Sequence, residues 1–264
     1  MSESPRGPRY GQPNFEYIAR MAATPPENDG PIFMVNLMKY RAVASYADGN
    51  PGGRSGREAD DIYAPTEILR DIGAEIVFVA DVERQILGDD PKWDRVAIVK
   101  YPTRASFLGM QRRPDFREKH VHKDAGMEQT IVVAGRPSPL PAFPEPETQE
   151  LAQGDAPFVM MHLMKFAANG VKDMAEYGAS AGAAGIALGV RPEAFLEVEG
   201  TVLGDGRECD QVRFNRFPSH AIYEQLRANS THEAGQSGRR SALTDTYTLM
   251  LAPGRDRLAK STRA

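Results

Sequence analysis

"PIFMVNLMKY" at residues 31–40 and "PFVMMHLMKF" at residues 157–166 nearly spell each other, with Met34, Leu37, Met38 and Lys39 falling on Met160, Leu163, Met164 and Lys165. Further on, "ILGDDPKWDRVAIVKYPTRASF" from Ile86 lines up with "VLGDGRECDQVRFNRFPSHAIY" from Val202. There Leu87-Gly88-Asp89, Asp94, Val96 and Pro102 meet Leu203-Gly204-Asp205, Asp210, Val212 and Pro218. Ordered agreement of Gly, Asp, Pro and Lys over this span marks one folding unit written twice. The first copy carries a longer early loop, the Gly-rich "SYADGNPGGRSGREAD". Between the copies, "RPSPLPAFPEPETQELAQGDAP" is stiffened by prolines and reads as a linker.

Each copy reads as strand, helix, strand, strand, helix, strand. In the first, "IFMVNLMKY" is a strand and "DIYAPTEILRDIG" a helix stopped by Gly73. "AEIVFVADVERQIL" and "WDRVAIVKY" are strands, "TRASFLGMQR" is a helix capped by Thr103, and "EQTIVVAGR" is the last strand. This order is the ferredoxin-like split βαβ motif. Such a sheet has helices on one face only, so the other face needs a cover, and a second copy supplies it. The expected fold is α+β: two tandem ferredoxin-like βαββαβ units packed sheet to sheet as an intramolecular dimeric α/β barrel. The expected divisions are an N-terminal extension with a short amphipathic helix (1–29), a first unit (30–136), a linker (137–156), a second unit (157–254) and a C-terminal tail (255–264).

Composition bounds the function. The 264 residues carry 32 basic and 36 acidic side chains, a net charge of −4, with no basic block, which argues against nucleic acid as partner. Apolar runs such as "IVFVA" are far shorter than the roughly 20 residues that span a bilayer, and the N-terminus lacks the apolar core of a secretory signal. A cytoplasmic protein is expected, neither membrane-bound nor disulfide-bonded, since Cys209 stands alone. A homodimer is compatible with this reading.

The first copy resembles the bacterial family of domains of unknown function numbered 1330, in the dimeric α/β-barrel superfamily. The similar features are "MVNLMKY", Ser55-Gly56, Tyr63, "WDRVAIVKYPTRASFLGM" from Trp93, and Pro114 eight positions before His122. The second copy departs from it, with Cys209 answering Trp93, Ser230 answering Pro114 and Gly238 answering His122, so any chemistry may be expected in one half only. The resemblance implies a fold more than a function, because the superfamily holds cofactor-free monooxygenases, cyclases, isomerases, haem-dependent chlorite dismutases and simple binding modules.

Candidate site residues follow from the strands. Alternation puts Met34, Asn36 and Met38 on one face, repeated as Met160, His162 and Met164. If that face lines the barrel interior, the methionines are an adaptable apolar wall and Asn36 and His162 polar handles for a carbonyl or oxyanion. His120 and His122 occupy "REKHVHKDAG", expected just after the second helix, and the family pattern favours His122 as general base. Tyr63 and Trp93 are candidate pocket walls, and Arg54, with Arg57, a clamp over the barrel mouth. No metal set and no nucleotide motif is present. The leading expectation is a cofactor-independent enzyme (isomerase, cyclase or monooxygenase type) acting on a small apolar or aromatic metabolite in a barrel cavity, with His122, Asn36 and His162 catalytic. The alternatives are a non-catalytic ligand-binding or assembly module, and a haem barrel drawing its axial ligand from His162, His220 or His232.

Overall fold

The computed structural model describes residues 8–47, 49, 53–140 and 155–263. The first half runs β1 (Gln12–Pro13), α1 (Phe15–Ala22), β2 (Ile32–Tyr40), α2 (Gly56–Tyr63), α3 (Thr66–Asp71), β3 (Glu75–Leu87), β4 (Arg95–Tyr101), α4 (Arg104–Met110), α5 (Pro114–Gly126) and β5 (Met127–Ser138). The second runs β6 (Phe158–Phe166), α6 (Gly170–Tyr177), α7 (Ala183–Ala187), β7 (Arg191–Gly204), β8 (Gln211–Phe217), α8 (His220–Arg227), α9 (Ser230–Ser241), β9 (Leu243–Asp256) and α10 (Leu258–Thr262). Most of the proline-rich stretch expected as a linker lies outside the described residues.

Within each half the strands lie in the ferredoxin-like order: β5-β2-β4-β3 in the first, β9-β6-β8-β7 in the second. The halves then join at both edges, β3 to β9 and β5 to β7, so eight antiparallel strands close into a barrel. Closure removes the unpaired edges that either sheet alone would present. Inward-facing side chains alternate along every strand. Phe33, Val35 and Leu37 of β2 meet Val159, Met161 and Leu163 of β6, with Val96, Ile98, Ile131 and Val133 opposite Val212, Phe214, Leu249 and Leu251. Each such burial contributes about 1.5–3 kcal/mol. Leu258 of α10 adds a further fully buried side chain to this core.

One device recurs in both halves. Asp94 accepts from Lys39 Nζ (3.1 Å) and the Tyr40 N–H (2.8 Å), and Asp210 accepts from Lys165 Nζ (3.0 Å) and the Phe166 N–H (2.8 Å). In each case the register of the strand slips at that amide, and the carboxylate satisfies the freed N–H.

Two local expectations change. The helix read through "DIYAPTEILRDIG" is broken into α2 and α3 at Ala64-Pro65, because a residue before proline is driven out of the helical region. The pair His120 and His122 lies inside α5 rather than after a helix. Among the described residues no helix is long and apolar enough to cross a membrane.

Candidate functional site

The barrel interior is filled by close-packed side chains, so the face carrying Met34, Asn36 and Met38 does not line it. That face points outward, toward the helices. Between the outer face of the first-half sheet and its helices lies a cavity of about 520 Å³, within the range that holds small metabolites. Its floor is Met34, Asn36 and Met38 of β2, Val99 of β4 and Val132 of β5. Its apolar end is closed by Leu69, Phe107 and Met110, and its polar end by Tyr10, Asp60, Tyr63, His120 and Lys123.

Helix α5 builds the polar end. Pro114 occupies its first turn, where a missing N–H is harmless. Phe116, His120 and Lys123 follow at helical spacing and share the cavity face. Residues two apart on a helix point roughly 200° apart. His122 therefore turns away: its Nδ1 lies 2.8 Å from the Tyr46 hydroxyl, and it does not line the cavity. The expected convergence of His122 with Asn36 gives way to that of His120 with Asn36. The helix is held close to α2 by two facing glycines, since a methyl on Gly56 would overlap the Gly126 carbonyl and one on Gly126 would overlap that of Gly56.

His120 Nε2 is hydrogen-bonded to the Tyr10 hydroxyl at 2.9 Å, and the rings of Phe116 and Tyr63 stand 5.5 and 5.9 Å away. Burial, with the Lys123 ammonium beside it, brings its pKa down to about 4, so the imidazole is neutral at pH 7. Lys123 is itself buried, its Nζ 5.1 Å over the Tyr63 ring, and burial pulls its pKa below the usual lysine range against the opposing field of Asp60. Asp60 is already engaged by the Tyr40 hydroxyl at 2.7 Å and by Arg95 at 3.6 Å. Among the described residues, neither the Lys123 ammonium nor the Tyr63 hydroxyl makes a hydrogen bond or ion pair. Asn36 Nδ2 donates to the Met34 and Ala97 carbonyls (3.0 and 3.4 Å). Its donor is thus occupied, and Asn36 offers the cavity an acceptor rather than the oxyanion donor expected of it.

Met34, Asn36, Met38 and Tyr63 thus come together at one cavity. Besides His122, three expected site residues lie elsewhere. Trp93 is buried in the barrel core with its ring 5.7 Å from that of Tyr247. Arg54 accepts from the Ala44 N–H through its carbonyl and does not line the cavity. His162 belongs to the other half. The residues missed in the sequence are Tyr10, Asp60 and Lys123, together with the priority of His120. Helical spacing through "FREKHVHK" would have paired His120 with Lys123.

In the second half, the strand row equivalent to Ala97–Asn36–Val132 is Arg213–His162–Thr248. Arg239 of α9 covers it, with Nη2 3.1 Å from Thr248 Oγ1 and 3.3 Å from His162 Nδ1. Burial and the two guanidiniums hold the His162 pKa well below the usual histidine range. Large side chains therefore occupy the place that is open in the first half. Of the histidines named for a haem, His162 is walled in by cations and His220 is tied to Glu83 at 3.0 Å on the surface, so neither is placed to bind an iron, and the His232 side chain lies outside the described residues.

No family model matches the sequence, and no curated protein does. Among solved structures, a protein of unknown function from Rhodopseudomonas palustris is 32% identical, covering 47% of this chain and 94% of its own, with a TM-score of 0.41. An anthrone oxidase-like protein is 11% identical, covering 87% of this chain and 96% of its own, with a TM-score of 0.48. A mutant chlorite dismutase from Candidatus Nitrospira defluvii is 10% identical, covering 94% of this chain and 100% of its own, with a TM-score of 0.49.

Proposed function

We propose that the chain is a cofactor-independent enzyme that moves a proton on a small, largely apolar or aromatic metabolite. We take the finer resemblance to family 1330 and the tandem duplication as parts of the same proposal, resting on the sequence motifs. One observation carries it: a neutral imidazole and an unpaired lysine stand together at the polar end of a mostly apolar cavity of about 520 Å³.

The roles follow from the geometry. When His120 Nε2–H donates to the Tyr10 oxygen, Nδ1 carries the lone pair and can accept a proton from a bound substrate. The Tyr63 hydroxyl, free of other partners, donates to a substrate carbonyl or phenol oxygen as negative charge develops there. Met34, Met38 and Phe107 grip the apolar body, and the flexibility of methionine suits substrates of varied outline. Burial strengthens each of these interactions because little water competes.

The test is solvent exchange. The purified protein is incubated in D2O with a panel of small aromatic ketones and phenols, and loss of substrate C–H signals is followed by NMR. Wild type and His122→Gln catalyse exchange, and His120→Gln loses it by 10²-fold or more. Binding without exchange in wild type would favour a plain ligand-binding module.

A further inference from the structure

We propose that Lys123 is a covalent anchor, forming an imine with the carbonyl of an aldehyde or ketone substrate in the first-half cavity. This deepens the proton-transfer reading above and rests on it.

The geometry singles out this lysine. It lies on the cavity face of α5, one turn after His120, with its ammonium against the Tyr63 ring face and no carboxylate paired to it among the described residues. The nearest acidic group in the same pocket, Asp60, is committed to Tyr40 and Arg95. A lysine meant to hold an anion would be kept charged by a nearby carboxylate or by water. Burial in this end of the cavity favours the neutral, nucleophilic amine of Lys123, against the opposing pull of Asp60 and of the Tyr63 ring face. Arg95 spends its charge on the carboxylates at that end, with Asp60 at 3.6 Å, Asp61 at 2.8 Å and Asp81 at 3.3 Å.

The chemistry balances without a further reactant. The Lys123 ammonium first gives a proton to His120, and the resulting neutral amine adds to the carbonyl carbon, forming a C–N bond while the carbonyl π pair moves to oxygen and takes that proton back from His120. The resulting carbinolamine loses hydroxide as water when a proton is delivered to its oxygen, leaving the protonated imine. His120, shuttling between neutral and protonated forms, takes the amine proton and returns it to the departing oxygen, with Tyr10 at its far nitrogen. The iminium then acidifies the adjacent C–H, the proton that His120 removes in the reaction proposed above.

The inference is tested by reductive trapping. The full-length protein is treated with benzaldehyde and sodium cyanoborohydride at neutral pH, and the modified lysines are located by peptide mass spectrometry. The expected result is one benzyl group, at Lys123, at least 10-fold faster than at exposed lysines such as Lys92 and Lys172. Labelling of Lys123 no faster than those overturns the inference, whichever variants fold. Lys123→Met and Lys123→Arg lose the fast label, and retention of it in either also overturns it. The two readings fail separately. Exchange of ketone protons without a Lys123 adduct leaves His120 chemistry standing and removes the imine. A Lys123 adduct without exchange keeps the imine and removes the proton transfer.

Discussion

His120 and His122 are separated by one residue, yet their surroundings differ completely. One ring is enclosed by Tyr10, Tyr63 and Phe116 beside an ammonium, while the other meets Tyr46 outside the cavity. Burial of His120 has a measurable consequence for stability. Its folded pKa of about 4 lies below the ordinary value of 6.5, so the unfolded chain binds the extra proton first. The contribution is therefore whole above pH 6.5 and is lost as pH falls from there toward 4. Its size is on the order of 3 kcal/mol, since each pKa unit is worth about 1.4 kcal/mol. His162, also held neutral by burial and by Arg239 and Arg213, titrates in the same direction. Urea unfolding at pH 7 and pH 4.5 measures the sum. Wild type loses stability between the two, and His120→Gln, which has no proton to bind, loses less of it. Equal losses in both would mean that His120 is not kept neutral by the fold.

At the scale of elements, α5 and β2 make the site, and each was legible to a different degree. The alternation of β2 placed Met34, Asn36 and Met38 on one face, and the structure keeps them together. Which face is inside could not be read from one strand, because both faces of β2 are apolar and buried, one by the barrel and one by helices. Helix α5 was hidden because its sequence is polar and weakly patterned, with charged residues on every side but the narrow stripe of Phe116, His120 and Lys123. What fixes that stripe against the sheet is backbone contact with α2 at Gly56 and Gly126. Gly126→Ala is expected to destabilise by about 1–3 kcal/mol through forced separation of the two helices, and to weaken the interaction of His120 with Tyr10. Chemical unfolding and the His120 ring signals in NMR check the two parts. The opposite kind of change is expected at the floor. Ala97→Leu adds its bulk into the cavity rather than into packed core, so stability changes by less than about 1.5 kcal/mol while binding of aromatic probes is lost. Isothermal titration with the panel used for exchange would show it, and unchanged binding would place the ligand elsewhere.

At the scale of the whole molecule, two half-barrels share one interior, but only the first keeps an open cavity between its sheet and its helices among the described residues. The repeated "LMK" and "LGD" words made the paired architecture readable. The one-sidedness of the site was readable only in part, because filling of the second half depends on Arg213 and Arg239, which carry no motif. The joins between halves are quasi-equivalent: β3 pairs with β9 at one seam, and β7, the counterpart of β3, pairs with β5, the counterpart of β9, at the other. A first half cut free, residues 1–140, would expose the inward face of Phe33, Val35, Leu37, Val96, Ile98, Ile131 and Val133 together with both open edges. Those edges complement each other across a two-fold axis, because each already pairs with a copy of the other in the intact chain. The fragment is therefore expected to dimerise through β3 and β5 of two copies, closing the same eight-stranded barrel with two open cavities in place of one. Sedimentation of the fragment reads the mass, and a concentration-dependent melting temperature accompanies a dimer. A fragment that stays monomeric and still unfolds sharply would show that the half-barrel is self-sufficient and that the shared interior is not what holds the halves together.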